Sequence, residues 1–410
     1  MSELQILENG IPLIYTFRNQ KTGHLVIHFN NGSSSDFENL QGIVHLLEHM
    51  LFKGTKKRNY LDLICGIEHL GADVNAFTTK ENMVIHVSYP DEFLNEICEI
   101  IADIIYNSVF DEKELKKEKL VICDEIRSYR DTPEEFIYDE WERLMLNGND
   151  LSHPILGNTA SVKRVTVSDL KNIYKLVCND FHVSIISKRS KNDVFEIISK
   201  YFSKKINSKT KPVINKPLVN NVKKQKKIYE DVSQTHVILG GYGPHITHKD
   251  YMPAHVLSTF FGGSGMSSLL NMELREKKGI SYSVETFCQS YRDYGLFSTY
   301  FTCDRKRVEH ALKIIKKIFS KYRECGLSEK ELETILRINK SQYIMFFENA
   351  LNEAIYQAKY FQYNKKIIQI KQIFEMLDSI DLPLINKVAA QLLDFEKYAL
   401  ITIEKNEYSK

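Results

Sequence analysis

The sequence lacks several features that would place it outside the ordinary globular classes. No stretch of the 410 residues approaches about 18 uninterrupted apolar residues, and residues 1–20 lack the basic and long apolar regions of a secretory signal. A cytoplasmic protein is therefore the expectation. The seven cysteines stand singly, with no Cys-x-x-Cys pair, so neither a disulfide framework nor a thiolate zinc site is indicated.

The sequence also lacks a strong charge of either sign. Its formal net charge is only +2, which predicts neither a nucleic-acid partner nor a membrane-surface partner. What the chain has in quantity is core-forming material, since 43% of its residues are apolar and 22 Tyr and 22 Phe are among them. This composition is typical of a globular protein, and the length favours two domains.

The order of predicted elements divides the chain in two. Between residues 204 and 227 the sequence becomes polar and rich in Lys and Asn, and hydrophobic periodicity fades. We therefore predict a first domain over 1–205, a linker over 206–227 and a second domain over 228–410. Strands, helices and a long helix follow each other in a similar order in both halves, which favours a duplication.

One predicted helix, residues 43–52, carries a chemically distinctive pattern. His45, Glu48 and His49 are spaced at three and four residues, so their side chains share one face of the helix. Two imidazoles one turn apart can bind one ion, and a catalytic zinc needs a third protein donor from elsewhere. Glu48 is placed to act as a general base. The alternative is an amphipathic helix whose histidines are hydrogen-bonded in a core.

The residues around this pattern carry a family resemblance. Residues 42–44 lead into it and residues 49–55 follow it much as in the pitrilysin-like (inverzincin) zinc peptidases, which the chain resembles. The resemblance implies that Glu125, 76 residues after His49, is the third ligand of one Zn²⁺ per chain. It also implies that Glu118 supports the site, and the spacing of seven places both glutamates on one helix face.

Two further segments resemble substrate-binding parts of the same family. Residues 71–81 are similar to its peptide-binding strand, so Asn75, Ala76 and Phe77 are expected to hold a peptide by main-chain pairing. A plain half-buried hairpin is the alternative for this segment.

The glycine-rich residues 262–268 and the sequence after them form the second of these segments. A phosphate-binding loop is disfavoured there because no Walker lysine-serine pair is present. The resemblance instead implies that Arg275 and Tyr282 contact substrate, the arginine at a peptide carbonyl and the tyrosine at the developing oxyanion.

The resemblance implies an α+β fold of two homologous domains, each a mainly antiparallel sheet packed with helices. It implies a zinc-dependent endopeptidase that hydrolyses unfolded peptides or leader and targeting peptides. It further implies a homodimer, or a heterodimer with a related chain. A non-catalytic peptide-binding or assembly subunit of such a heterodimer is the alternative. The sequence leaves open the substrate, the cleavage preference and the dimer partner.

Overall fold

The computed structural model describes residues 2–204 and 225–406, and these residues form two compact units. The first unit contains residues 2–128, 149–204 and 346–369. The second unit contains residues 129–148, 225–345 and 370–406. Each unit is built around one β-sheet, and the described residues contain eleven strands and fourteen α-helices.

The strands alternate with helices along the chain. They are β1 Ser2–Ile6, β2 Pro12–Phe17, β3 Thr22–Phe29, β4 Asp73–Thr78, β5 Met83–Pro90, β6 Phe181–Ser187, β7 Gln225–Glu230, β8 Thr235–Gly243, β9 Ser281–Ser290, β10 Gly295–Cys303 and β11 Ala399–Lys405. The helices are α1 Ile43–Leu51, α2 Tyr60–Glu68, α3 Leu94–Asn107, α4 Glu112–Arg130, α5 Pro133–Met145, α6 Thr159–Arg164, α7 Val167–Val177, α8 Lys191–Tyr201, α9 Tyr251–Gly262, α10 Val308–Cys325, α11 Glu329–Glu348, α12 Ala350–Asn364, α13 Ile370–Asp378 and α14 Leu382–Leu392. A π-helical turn, Asn271–Glu276, precedes β9.

The two sheets have the same topology. In the first unit the order is β1-β2-β6-β3-β5-β4, and only the β2–β6 pair is parallel. In the second unit the order is β7-β11-β8-β10-β9, and only the β7–β11 pair is parallel. Apart from the extra edge strand β1, the two orders correspond strand by strand. The predicted α+β fold with mainly antiparallel sheets is confirmed.

The core of the first unit explains where its helices lie. Strand β6 is buried along its whole length, as expected of a central strand covered on both faces. Helix α1 is buried nearly all round, because its six apolar side chains are fully enclosed: Ile43, Val44, Leu46, Leu47, Met50 and Leu51. Only its polar side chains remain available for chemistry.

Each unit also contains one helix from the other half of the sequence. Helix α5 packs against β8 and β11 in the second unit, and α12 packs against β3 and β6 in the first. The predicted domains, 1–205 and 228–410, assign these two helices the other way, so the domain division remains a prediction. An amphipathic pattern shows that a helix face is buried, but it does not show which sheet covers it.

The predicted linker differs from the structure at its C-terminal end. Residues 225–227 begin strand β7, whereas the rest of the predicted linker lies outside the described residues. Residues 225–227 form a strand because they pair with β11, where Leu400 lies opposite Gln225, 175 residues earlier. A partner this distant leaves no local signal in the sequence. Over residues 2–204 and 225–406, no helix is both long enough and apolar enough to span a bilayer.

Candidate metal centre

Helix α1 presents two imidazole rings on one face. It begins after Gly42, and the rings of His45 and His49, one turn apart, lie 4.7 Å from each other between centroids. His45 is 7% exposed, so the first ring is almost wholly enclosed, while His49 is less buried. The helical spacing seen in the sequence therefore does bring the two rings together.

Glu125 on α4 lies opposite these rings. Its Oε1 is 3.9 Å from Nε2 of His45, and its Oε2 is 3.9 Å from Nε2 of His49. One ligand atom from each of the three residues lies within 4.8 Å of the others. Residues 2–204 and 225–406 contain no second group of three such donors. The expected ligand set is thus assembled by two helices of the first unit.

Glu118 braces the second histidine. Its Oε2 is 3.1 Å from Nδ1 of His49, and its Oε1 is 2.7 Å from Nζ of Lys53. Burial by itself would raise the pKa of this carboxyl, but the hydrogen bonds from His49 and Lys53 outweigh burial and hold the pKa below its usual value. A carboxylate at Nδ1 fixes the ring and leaves Nε2 directed towards Glu125.

The two histidines differ in their electrostatics. Burial, together with the neighbouring His49, lowers the pKa of His45 to about 3, so its ring is neutral and able to donate a lone pair. Burial also acts against the charged form of His49, but the Glu118 hydrogen bond and the charge of Glu125 raise its pKa overall. The carboxylates of Glu118 and Glu125 beside His49 form an environment that would stabilise a cation.

Glu48 points from the same helix towards strand β4. It is 8% exposed, and the hydroxyl of Thr78 donates a hydrogen bond to its Oε2. Burial raises the pKa of Glu48, while the Thr78 hydrogen bond and the charge of His49 act in the opposite direction. The sequence reasoning missed Thr78, although its place directly after Phe77 in the predicted peptide-binding strand was the available signal.

The predicted peptide-binding residues lie beside this helix. Asn75, Ala76 and Phe77 belong to β4, which packs against α1 and forms one edge of the six-stranded sheet. Strand β5 pairs with one side of β4, and no described strand pairs with the other. An open edge of this kind is what strand addition by an extended peptide requires.

Arg275 and Tyr282 belong to the second unit and are not members of this cluster. Arg275 is the penultimate residue of the π-helical turn, and its Nε is 3.5 Å from Oε1 of Glu276. Tyr282 is 77% exposed on β9, the edge strand of the second sheet. Their predicted contacts with substrate stay a prediction.

The donor atoms of the first unit fit a zinc ion. Two imidazole nitrogens and one carboxylate oxygen are a recognised ligand set for catalytic zinc, which keeps its fourth position open. Zinc–ligand bonds of about 2.1 Å in tetrahedral geometry place ligand atoms about 3.4 Å apart. The two separations of 3.9 Å involve different oxygens of Glu125, and one donor atom from each residue lies within 4.8 Å of the others. Side-chain adjustments that shorten these separations by up to about 1.4 Å would bring the three donors to tetrahedral spacing.

Comparison with known proteins shows the family of the chain. Residues 15–159 match the family profile "Insulinase (Peptidase family M16)", and residues 164–339 match "Peptidase M16 inactive domain". An uncharacterized zinc protease of Streptomyces coelicolor is 31% identical over 309 residues, covering 73% of this chain and 67% of the relative. The chain belongs to peptidase family M16. The pitrilysin-like resemblance seen in the sequence is confirmed.

Other members of the M16 family extend the similarity to the whole chain. The uncharacterized zinc protease YmxG of Bacillus subtilis is 28% identical over 401 residues, covering 97% of this chain and 96% of the relative. The beta subunit of rat mitochondrial-processing peptidase is 26% identical, covering 96% and 82%. A Helicobacter pylori protease structure superimposes with a TM-score of 0.90 at 20% identity, covering 98% of this chain and 99% of that one. At that identity it shows the shared fold.

Proposed function

We propose that this M16 protein is a zinc-dependent endopeptidase that hydrolyses unfolded peptides, with His45, His49 and Glu125 as ligands. The observation that carries the proposal is the convergence of three donor atoms within 4.8 Å. Glu48 lies on the same helix as the two histidines, and that helix packs against an open sheet edge. Ligands, base and peptide-binding strand therefore belong to one unit.

The chemistry divides between the ion and the protein. A zinc ion held by these residues would supply Lewis acidity at the scissile carbonyl and lower the pKa of water. Glu48 is the group that accepts the proton of the attacking water and delivers it to the leaving amine. Its burial favours the neutral form and so strengthens Glu48 as the acceptor in the first of these transfers, while the Thr78 hydrogen bond holds the carboxylate in place.

Substrate is proposed to bind along β4. Main-chain pairing to Asn75, Ala76 and Phe77 would hold an extended peptide with little side-chain selectivity, which suits unfolded substrates. Arg275 and Tyr282 are proposed to contact the peptide carbonyl and the oxyanion. Because the rat relative is named as a subunit, we further propose a dimer, either of two copies of this chain or with a related chain.

A peptide library and metal analysis test the proposal together. The zinc-loaded chain is incubated with unstructured peptides, and the products are identified by mass spectrometry. Glu48→Gln is expected to keep about one zinc per chain and to lose cleavage, since it removes the base but no ligand. Glu112→Gln, an exposed glutamate on α4, is the control and should behave as wild type.

Two outcomes would contradict the endopeptidase. If no peptide is cleaved by the zinc-loaded chain, alone or with a related chain, the protein is the non-catalytic subunit considered above. If Glu48→Gln cleaves as fast as wild type, the hydrolysis belongs to another site.

A further inference from the structure

Helix α1 begins without a capping side chain of its own. Its N-cap residue is Gly42, which offers no side chain to the free N–H groups of the first turn. The carboxylate of Asp36 takes that role from outside the helix. Its Oδ2 accepts the Gly42 N–H at 2.6 Å and its Oδ1 accepts the Val44 N–H at 3.0 Å. One carboxylate therefore accepts hydrogen bonds from two residues, Gly42 and Val44, at the start of the helix that carries the histidines.

The glycine at this N-cap is required by its surroundings. Gly42 has φ of 88°, in the left-handed region, and a Cβ built on it would lie 2.4 Å from the carbonyl oxygen of Leu156. No side chain fits there, so a cap must come from elsewhere in the chain. Burial raises the pKa of Asp36 to about 7, while the Gly42 and Val44 N–H groups act in the opposite direction, because negative charge at a helix N-terminus is favourable.

The loop that carries Asp36 is itself fixed. The side chain of Gln41 lies 2.6 Å from Nδ1 of His153, and the Ser161 hydroxyl donates to the Gln41 carbonyl at 2.6 Å. The Asp36 N–H donates to the Ser33 carbonyl at 3.1 Å. The carboxylate is thus anchored to the body of the first unit and transmits that position to the first turn of α1.

The two histidines of α1 are held in different ways. His49 has Glu118 at its Nδ1, but within the described part of the chain no group is hydrogen-bonded to Nδ1 of His45. The orientation of the His45 ring must therefore come from its backbone position and its packing. Val44, whose N–H is held by Asp36, directly precedes His45.

We propose that Asp36 is a positioning residue for the metal centre, which sets the place of His45 through the N-terminus of α1 as Glu118 sets that of His49 through its ring. The proposal rests on the proposed function, since it takes His45 as a ligand. It predicts that loss of the Asp36 carboxylate changes metal affinity and ligand geometry, beyond any effect on folding.

Metal titration of purified, folded chains tests this directly. Zinc dissociation constants are measured by competition with a chromogenic chelator, and visible spectra are recorded with cobalt in place of zinc. Asp36→Ala is expected to weaken zinc binding about 10- to 100-fold, the range found when residues supporting a ligand are lost, and to alter the cobalt bands. Asp36→Asn, which keeps one accepting oxygen, should fall between Asp36→Ala and wild type.

A matched control comes from the second unit. Asp381 caps α14 by accepting the Leu384 N–H at 2.9 Å, so Asp381→Ala also removes an aspartate cap. It should lower the melting temperature without changing zinc affinity or the cobalt spectrum. Circular dichroism shows which variants are folded. If Asp36→Ala is unfolded, the zinc affinity and cobalt spectrum of Asp36→Asn test the proposal.

The outcomes separate this proposal from the one it rests on. If folded Asp36 variants bind zinc like wild type and give the same cobalt bands, Asp36 is an ordinary helix cap and this proposal is overturned. If the wild-type chain itself binds neither zinc nor cobalt, the proposed function fails and this proposal fails with it.

Discussion

The two units share one sheet topology, yet only the first assembles a group of metal donors among the described residues. In the first unit a helix lies in the chain between β3 and the edge strand β4, and in the second unit a helix lies between β8 and the edge strand β9. That helix is α1 in the first unit, with His45 and His49, and α9 in the second, with the half-buried His255. The sheet framework alone therefore does not create the site.

A second pair of corresponding helices shows what else differs. Helices α4 and α11 both begin with the sequence Glu-Lys-Glu-Leu, at Glu112 and Glu329. Counting from these starts, Glu118 corresponds to Ile335 and Glu125 to Gln342. At these positions the second unit has an apolar residue and an amide, whereas the first unit has the carboxylate that contacts His49 and the carboxylate proposed as a ligand. The group of metal donors in the first unit therefore depends on a few side chains, while the sheet topology is shared by both units.

The substitution with the largest expected effect removes a proposed zinc ligand from the first unit. His49→Ala should abolish stoichiometric zinc binding and reduce peptide cleavage by at least about a thousandfold, because the remaining donors cannot hold the ion in place. Zinc content by elemental analysis and the initial cleavage rate are the measurements. Gln342→Glu, which adds a carboxylate at the corresponding place in α11, should leave zinc at about one per chain; two would contradict the comparison.

The next effect concerns the bracing carboxylate. Glu118→Gln should weaken zinc binding about 10- to 100-fold, since Nδ1 of His49 then faces a neutral amide in place of a carboxylate. Competition with a chelator measures the affinity. Glu331→Gln on α11, which alters a glutamate bonded to Tyr322 and Ser328 in the second unit, is the control. Equal zinc affinities in the two variants would show that Glu118 does not support the ligand.

Burial lowers the pKa of a histidine in each sheet, and the pH dependence of stability is expected to be larger in the first unit. In the first unit His28 and His182 lie opposite each other on β3 and β6, with stacked rings 4.7 Å apart, whereas His236 on β8 faces Ile403 on β11. Burial lowers the pKa of His182 from 6.5 to about 4. The unfolded chain therefore binds more protons between these values, and stability should fall as pH drops from 6.5 towards 4.

The expected contribution of His182 at pH 5 is a loss of about 2 kcal/mol relative to neutral pH. Urea unfolding at pH 7 and pH 5, followed by hydrogen exchange of the first unit, measures it. His182→Ile copies the His–Ile pairing of the second unit and should flatten the pH dependence, although it also removes a hydrogen bond to the Ala358 carbonyl. An unchanged slope would exclude His182 as the source.

The smallest expected effect is on kcat and comes from loss of the hydrogen bond to Glu48, the proposed general base. Thr78→Val keeps the shape of the side chain and removes the hydroxyl that donates to Glu48, so kcat should fall about three- to tenfold with zinc content unchanged. Steady-state cleavage of one library peptide measures kcat. Thr402→Val, which removes a hydroxyl contact to Glu404 on β11, is the control. A kcat equal to wild type would show that Glu48 needs no support from β4.

Much of the site could be read from the sequence because it depends on short spacings. The face shared by His45, Glu48 and His49 follows from helical periodicity, and the structure has α1 at Ile43–Leu51. Glu125 and Glu118 were placed through the family resemblance, since nothing local marks a glutamate 76 residues away as a ligand. Both glutamates do lie against the histidines, as Glu118 at 3.1 Å from His49 shows.

The sequence by itself determined the helix face that carries the histidines and the similar order of elements in the two halves, because periodicity and short motifs act over a few residues. The α+β fold was expected from the family resemblance. Only the tertiary structure decided that Asp36 caps α1, that Thr78 reaches Glu48, and that α5 and α12 each pack in the unit formed mainly by the other half. These contacts join residues distant in the chain through sheet order and loop packing, whose free energy depends on the whole fold and leaves no pattern in any one segment.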